Sequence, residues 1–347
     1  MGMGTGDSVS VSQVCKLQAQ HGALTLLAAG GGGNSAVDPH HHHQQQQQHS
    51  HQSTRLALAT STGAVQVWDV EARRVVCSWG TKGVGAMVWG ADGAVLSIGG
   101  PKGAIRHYDT RAPQGKVHTN TEQAAPGKAG AKSQQQLTRH QTGVAALAWG
   151  ADGRLLASGD AGGVVYTWDA RAGRAPLDVG EFLQRRKKMQ HAQPISALAW
   201  CPWQPKLLAS GDAGGTVRFW SVEPANTSSN ATAGRLELGS RVAGLHWAPG
   251  YKELLTTLGP AAADSDGAPW RPRGLLSNAL AVHAFPSLRP IASLSLLGAA
   301  SSAHAAAVHK VVVAVPGEGK LKVYEVWGRR RERVEEAGER GELGGDD

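Results

Sequence analysis

Cysteine is nearly absent: Cys15, Cys77 and Cys201 are the only three in 347 residues. They are far apart and odd in number, which excludes a disulfide framework and a Cys-x-x-Cys metal site and fits a reducing compartment. No apolar run approaches the ~18 residues a membrane-spanning helix needs, and the start has no basic segment leading into an apolar one. Neither a membrane span nor a secretory leader is therefore expected, and the sequons at Asn226 and Asn230 read as chance matches. Catalytic signatures are missing as well: there is no Gly-x-Ser-x-Gly elbow, no phosphate-cradling Gly-x-x-x-x-Gly-Lys-Ser/Thr and no His-Glu-x-x-His. Glycines 30–33 lead into no helical pattern and no Lys, so they read as linker. An enzyme is not expected, and neither a cofactor nor a metal site is.

Phe and Tyr are also scarce, at 3 and 4, whereas Trp reaches 11. A repeated unit that spends one Trp at a time explains that bias. Aligned on Trp, the chain shows an apolar strand ending in Trp, a Gly-rich turn, a second strand, another turn, and a third strand ending in Trp-Asp or a variant. The clearest units are Val84–Trp89 with Ala94–Ile98 and Ala104–Asp109, then Val144–Trp149 with Leu155–Ser158 and Val164–Asp169, then Ile195–Trp200 with Leu207–Ser210 and Thr216–Trp220. The tetrapeptide Gly-Ala-Asp-Gly recurs at 90–93 and 150–153 as a hairpin turn. Short strands at this spacing indicate an all-β fold, a WD-repeat β-propeller. Trp68, Trp89, Trp149, Trp168, Trp200, Trp220 and Trp247 are expected between its blades.

Weaker units flank these three. Upstream, Ser8–Leu17, Arg55–Thr60 and Ala64–Asp69 read as three strands of one blade. Downstream, Arg241–Trp247, Glu253–Thr257 and Ala279–Phe285 form another, and a last unit runs from Ile291 to about Trp327. Six blades result, over residues 1–327. Low-complexity insertions are read at 30–53, 112–136 and 259–277, and the Arg/Glu-rich 328–347 forms a charged tail. The tract of His and Gln from His40 to His51 is the most biased of these segments, and its imidazoles lack the supporting shell of a designed metal site. Net charge is +8. The knots Arg185–Lys188 and Arg329–Arg333 are read as solvated surface rather than as a nucleic-acid patch.

One blade carries more than its repeat. Ile195–Trp220 contains Trp200-Cys201-Pro202-Trp203-Gln204-Pro205 where WD proteins commonly have Ser-Pro-Asp-Gly. This segment resembles the fifth blade of the fizzy and fizzy-related coactivators of the anaphase-promoting complex. Gly239-Ser240-Arg241-Val242 leading to Tyr251-Lys252-Glu253-Leu254 is similar to that family's sixth blade. Ile105–Arg111 is similar to its third, and Gly63–Asp69 to the end of its second. The resemblance implies a seven-bladed propeller that binds the ligase and recruits proteins bearing short degradation motifs, in the nucleus, the cytoplasm or both. Ligase subunits and degron-bearing proteins are then the expected partners, with a general WD scaffold as the alternative.

The departures from the family are specific. Its docking box, Asp-Arg-aromatic-Ile-Pro, does not occur, the closing Ile-Arg is replaced by Gly345-Asp346-Asp347, and no counterpart of the first blade is found. The family's Gly-Asn-Asp-Asn turn becomes Asp160-Ala161-Gly162-Gly163, so two peptide-holding amides are missing at Ala161 and Gly163. The matching turn of the next blade, Asp212–Gly215, is two residues shorter. The Arg expected early in blade seven aligns with Ser302. Truncated gene product and diverged relative both remain open on these grounds.

Overall fold

The structure is a computed structural model that describes residues 24–30, 55–111, 136–171, 176–177, 189–222, 234–248, 250–261, 277–296, 302–305, 310–315 and 320–326. Every regular element among them is a strand, and the strands form five four-stranded sheets and one three-stranded sheet. The first sheet is β1 (Leu24–Gly30), β2 (Arg55–Thr60), β3 (Ala64–Asp69) and β4 (Arg74–Gly80). The second is β5 (Ala86–Trp89), β6 (Val95–Gly99), β7 (Ala104–Asp109) and β8 (Gln136–Thr138). The third is β9 (Val144–Trp149), β10 (Leu155–Asp160), β11 (Val164–Asp169) and β12 (Met189–Gln190). The fourth holds β13 (Ile195–Trp200), β14 (Leu207–Asp212), β15 (Thr216–Ser221) and β16 (Arg235–Glu237). The fifth holds β17 (Ser240–Trp247), β18 (Glu253–Ala261), β19 (Ala279–Ala284) and β20 (Pro290–Ser295), and the sixth β21 (Ser302–Ala305), β22 (Lys310–Val315) and β23 (Lys320–Glu325). Neighbours in sequence pair antiparallel, which is the up-and-down order of propeller blades.

Several expectations are corrected. The opening strand of the first sheet is Leu24–Gly30, paired with Arg55–Thr60, while Ser8–Leu17 lies outside the described residues. Gly30 therefore ends a strand instead of opening a linker; likewise Gln136 opens β8, and β18 continues through 259–261. Ile291 belongs to β20, whose Ala292 pairs with Val282, so it closes the fifth sheet and does not open the sixth. All five four-stranded sheets thus carry a fourth strand where three were expected. The poly-His tract, Arg185–Lys188, both sequons and the Arg-rich tail lie outside the described residues.

The recurring Gly-Ala-Asp-Gly turn closes the same way twice. Gly90 N–H donates to Val95 O at 2.7 Å and Gly150 N–H to Leu155 O at 2.7 Å, while Asp92 and Asp152 Oδ1 accept from Ala94 and Arg154 N–H at 3.1 and 2.9 Å. The side chain thus completes a turn that the backbone alone leaves short of partners. Cys201-Pro202-Trp203-Gln204-Pro205 fills that position in the fourth sheet. Cys201 N–H donates to Leu207 O at 2.9 Å, and burial pushes the Cys201 thiol up, against a smaller lowering by the nearby Trp203 and Gln204 backbone.

By contact density the described residues fall into two compact units, one comprising residues up to 208 with 220–231, the other 209–219 and residues from 232 onward. In the first, Trp side chains tie each sheet to the preceding one. Trp89 Nε1–H donates to Ala28 O and Trp200 Nε1–H to Ala148 O, each at 3.0 Å, whereas Trp149 Nε1–H donates to Ser97 Oγ at 3.0 Å. Trp89, Trp168 and Trp200 are buried, and Trp68, Trp149 and Trp220 only half-buried. The second unit centres on Phe219, Trp247 and Phe285, with ring centroids 5.2 to 5.9 Å apart.

Candidate functional site

In four sheets the second and third strands meet in a four-residue turn that ends in Gly: 60–63, 100–103, 160–163 and 212–215. Two of these turns share one device. Asp160 Oδ1 accepts from Gly162 and Val164 N–H at 2.9 and 2.8 Å, and Asp212 Oδ1 accepts from Gly214 and Thr216 N–H at 3.0 and 2.8 Å. Both aspartates are buried, so backbone donors hold the carboxylates and the turn backbone is held in return.

Beneath the 160–163 turn the network continues inward. Asp160 Oδ2 lies 2.8 Å from His140 Nδ1, His140 Nε2 lies 2.7 Å from Ser158 Oγ, and Trp168 Nε1–H donates to Ser158 Oγ at 2.8 Å. Ser158 Oγ accepts the indole N–H, and its own hydrogen has two acceptors in reach, His140 Nε2 and, at 3.5 Å, Tyr166 O, while the Asp160 carboxylate accepts from His140 Nδ1–H. Burial, working against the hydrogen bond and charge of Asp160, holds the His140 pKa below the ordinary histidine value.

That arrangement has a consequence for stability against pH. His140, His107 and His283 are all held below the ordinary value of 6.5 by burial. The unfolded chain therefore binds more protons than the folded one below that value. The stabilising contribution is complete above pH 6.5 and is lost as pH falls through the lower folded-state values. Urea midpoints measured from pH 8 to pH 5 are expected to be flat down to about 6.5 and then to decline; a midpoint that rises on acidification contradicts the assignment.

The two peptide-pocket positions of the third sheet sit in one turn but play different parts. Ala161 is exposed, with its N–H on Gly143 O at 2.9 Å. Gly163 is buried at φ +81°, and a Cβ there would lie 2.5 Å from His191 O and 2.9 Å from Gln193 O. Glycine at 163 is thus a requirement of the turn as much as a lost amide. Ala161→Asn is expected to leave stability unchanged to within ~0.5 kcal/mol, and Gly163→Asn to cost on the order of 2 kcal/mol through backbone collision. Thermal melts of the two variants side by side test this. Ser302 lies in the other compact unit, where it opens β21 opposite Ala314.

The family-signature residues are structural where they are described. Trp200 and Cys201 are buried, Trp203 is half-buried, and Pro202, Gln204 and Pro205 form the exposed rim of the turn. Tyr251 packs on Ala248, Leu255, Leu280, Val282 and Leu296, and Leu254 is buried. Lys252 is exposed, its carbonyl accepting from Phe285 N–H at 2.8 Å, and half-buried Glu253 accepts at its carbonyl from Ala248 N–H at 3.0 Å. Among the described residues no group of three His, Cys, Asp or Glu side chains converges on a metal-sized site.

Sequence reasoning missed one feature. A cavity of about 440 Å³ opens between the second and third sheets, bounded by the Gly90–Gly93 and Gly150–Gly153 turns. Val95, Leu137, Trp149, Leu156 and Trp168 wall it, with His107 beside them. His107 Nδ1 lies 2.8 Å from Ser97 Oγ, and its ring leans on Trp149 at a centroid distance of 5.9 Å. The available signal was Ser97 with His107 at register-paired positions, where the next sheet has Ala157 paired with Thr167.

Residues 131–169 and 184–221 match the family described as WD domain, G-beta repeat. The chain is 33% identical over 217 residues to "WD repeat-containing protein slp1" of Schizosaccharomyces pombe, which is 60% of this chain and 37% of that protein. It is 29% identical over 247 residues to "Cell division cycle 20.5, cofactor of APC complex" of Arabidopsis thaliana, 69% of this chain and 45% of that protein. Among solved structures, a chain of the "Crystal Structure of Mitotic Checkpoint Complex" matches with a TM-score of 0.60 and 26% identity, over 80% of this chain and 72% of that one. The chain spans less than half the length of both of these curated relatives.

Proposed function

We propose, from the premise that this chain is a WD-repeat relative of the Slp1, Cdc20 and Fizzy-related proteins, that it acts by protein binding as a coactivator-type subunit of the anaphase-promoting complex, bringing proteins with short degradation motifs to that ubiquitin ligase. The observation that carries the reading is the extent of likeness to a cofactor of that complex, over 69% of the chain. The Trp200–Pro205 turn supports it, because its sequence resembles the family's fifth blade and its Trp200 and Cys201 are buried in the sheet. Action by binding implies no bond-making step, in keeping with His140 and Cys201 being committed to internal hydrogen bonds. We place it in the nucleus, the cytoplasm or both, where that ligase's substrates are met.

The test is co-precipitation of the full chain, tagged and expressed in dividing cells, with detection of named anaphase-promoting-complex subunits. Enrichment above a WD-repeat control is expected, and its absence removes the coactivator role. A second reading, a WD scaffold with no link to ubiquitin, is favoured by one observation: the 160–163 turn presents Ala161 and backbone where the family presents amides. Enrichment of subunits without retention of a Lys-Glu-Asn peptide on the purified chain would separate ligase binding from degron reading.

A further inference from the structure

The cavity between the second and third sheets has a definite origin. At the corresponding place in the next interface, Val222 is buried in a cluster with Trp200, Leu208 and Met189, and Trp200 hangs from the Ala148 carbonyl. Val222 N–H is held by Lys206 O at 2.8 Å, just as Ala170 N–H is held by Arg154 O at 2.9 Å, so the two residues are counterparts. Ala170 lacks the two methyl groups that would plug the gap. Trp149, drawn to Ser97 and not to a backbone carbonyl, leaves the space beside it open.

His107 gives the space a polar anchor. Ser97 is fully buried and receives the Trp149 indole N–H, so its own hydrogen has one acceptor among the described residues, His107 Nδ1. Neutral His107 therefore carries its hydrogen on Nε2, and that N–H has no partner among the described residues. The rim is acidic: Asp92 and Asp152 are exposed and Asp169 half-buried, the last sharing Arg154 at 3.5 Å.

We propose that this cavity is a docking pocket for one bulky apolar side chain of a partner protein's extended segment, with a basic residue beside that anchor paired to Asp92 and Asp152 and a backbone carbonyl accepting from His107 Nε2. Its volume, about 440 Å³, is that of a small ligand site, large enough for an aromatic ring and the backbone that carries it. Carboxylates at the mouth select a cationic neighbour, and the apolar walls supply the affinity. The inference goes beyond the coactivator reading and does not depend on it, since neither the 160–163 turn nor Ser302 lines the pocket.

The test uses the full chain and the peptide acetyl-Gly-Arg-Phe-Arg-Gly-amide, with Arg-Ala-Arg and Glu-Phe-Glu counterparts. The readout is the indole N–H resonance of Trp149, assigned through Trp149→Phe. Arg-Phe-Arg is expected to shift that resonance in a saturable way and to bind about tenfold tighter than either counterpart. Ala170→Val, which installs the residue of the next interface, should abolish the shift while the chain stays folded. Asp92→Asn with Asp152→Asn keeps the turn-closing amide oxygens and should bring Arg-Phe-Arg and Glu-Phe-Glu to equal affinity. No saturable shift with Arg-Phe-Arg, or one that survives Ala170→Val unchanged, overturns the proposal.

Discussion

Replacing Asp160 with alanine is expected to cost about 2–6 kcal/mol of folding stability, the sum for two buried donors left without an acceptor. The carboxylate is 2% exposed and serves the His140 imidazole and the Gly162 and Val164 N–H groups together. Alanine leaves the His140 and Val164 donors with nothing to bond, at about 1–3 kcal/mol each. Gly162 keeps a second acceptor, Thr142 Oγ1 at 2.9 Å, and so adds little. Asp160→Asn should lose less, because its Oδ1 retains the backbone donors and only the imidazole contact reverses. Urea titration of the two variants and of Ser158→Ala, with the Asp160→Ala/Ser158→Ala double variant, measures the coupling. A double variant that loses the full sum of the two singles would mean that the chain from Trp168 to Asp160 is not one unit.

That unit also shows what can be read in a WD sequence and what cannot. Its parts stand at fixed offsets, Asp160 after the second strand and Trp168 ending the third, and the strand ends at Trp149, Asp169, Trp200 and Trp247 fall where the repeat puts them. Turn chemistry is equally legible, because Asp92 and Asp152 each close a turn whose backbone has one dominant solution. The fourth strands were illegible for a physical reason. Three of the five, Gln136–Thr138, Met189–Gln190 and Arg235–Glu237, are two or three residues long, shorter than any periodicity, and they form because a neighbouring third strand offers an unpaired edge; Arg74–Gly80 and Pro290–Ser295 are longer but mostly exposed, so no apolar alternation marks them. Leu24–Gly30 was missed because Leu-Thr-Leu-Leu-Ala-Ala-Gly has no alternation, although its Leu24 and Leu27 are about half exposed. At the candidate sites, Ala161 is an exposed turn position, and that Gly163 has no room for a side chain depends on where His191 O comes to rest. The cavity depends on a difference of two methyl groups between Ala170 and Val222, a comparison that only the packed interfaces make meaningful.

The same logic of close approach governs Gly159. A Cβ at this position would stand 2.4 Å from Ile195 Cγ2 and 2.7 Å from its Cβ. Ile195 opens the first strand of the following sheet and is 1% exposed, its χ1 is restricted by β-branching, and its Cβ does not move with χ1. Gly159→Ala must therefore push strands apart, and a loss of about 3 kcal/mol is expected, the upper part of the range for overpacking. The pattern recurs at Gly99 against Val144 and at Gly211 against Val242, with first contacts of 2.5 Å in both, so the second-strand glycine facing a β-branched residue is a spacing rule of the repeat. Ile195→Ala alone should cost ~2–5 kcal/mol by leaving a cavity. Combined with Gly159→Ala it removes the contacts to Cγ2 and Cγ1 but keeps the Cβ at 2.7 Å, so the double variant should fall short of the summed losses by only part of the strain, on the order of 1 kcal/mol. Additive losses in guanidinium titrations would place the strain of Gly159→Ala somewhere other than the branched Cγ atoms of Ile195 and would remove the part of the spacing rule that rests on β-branching.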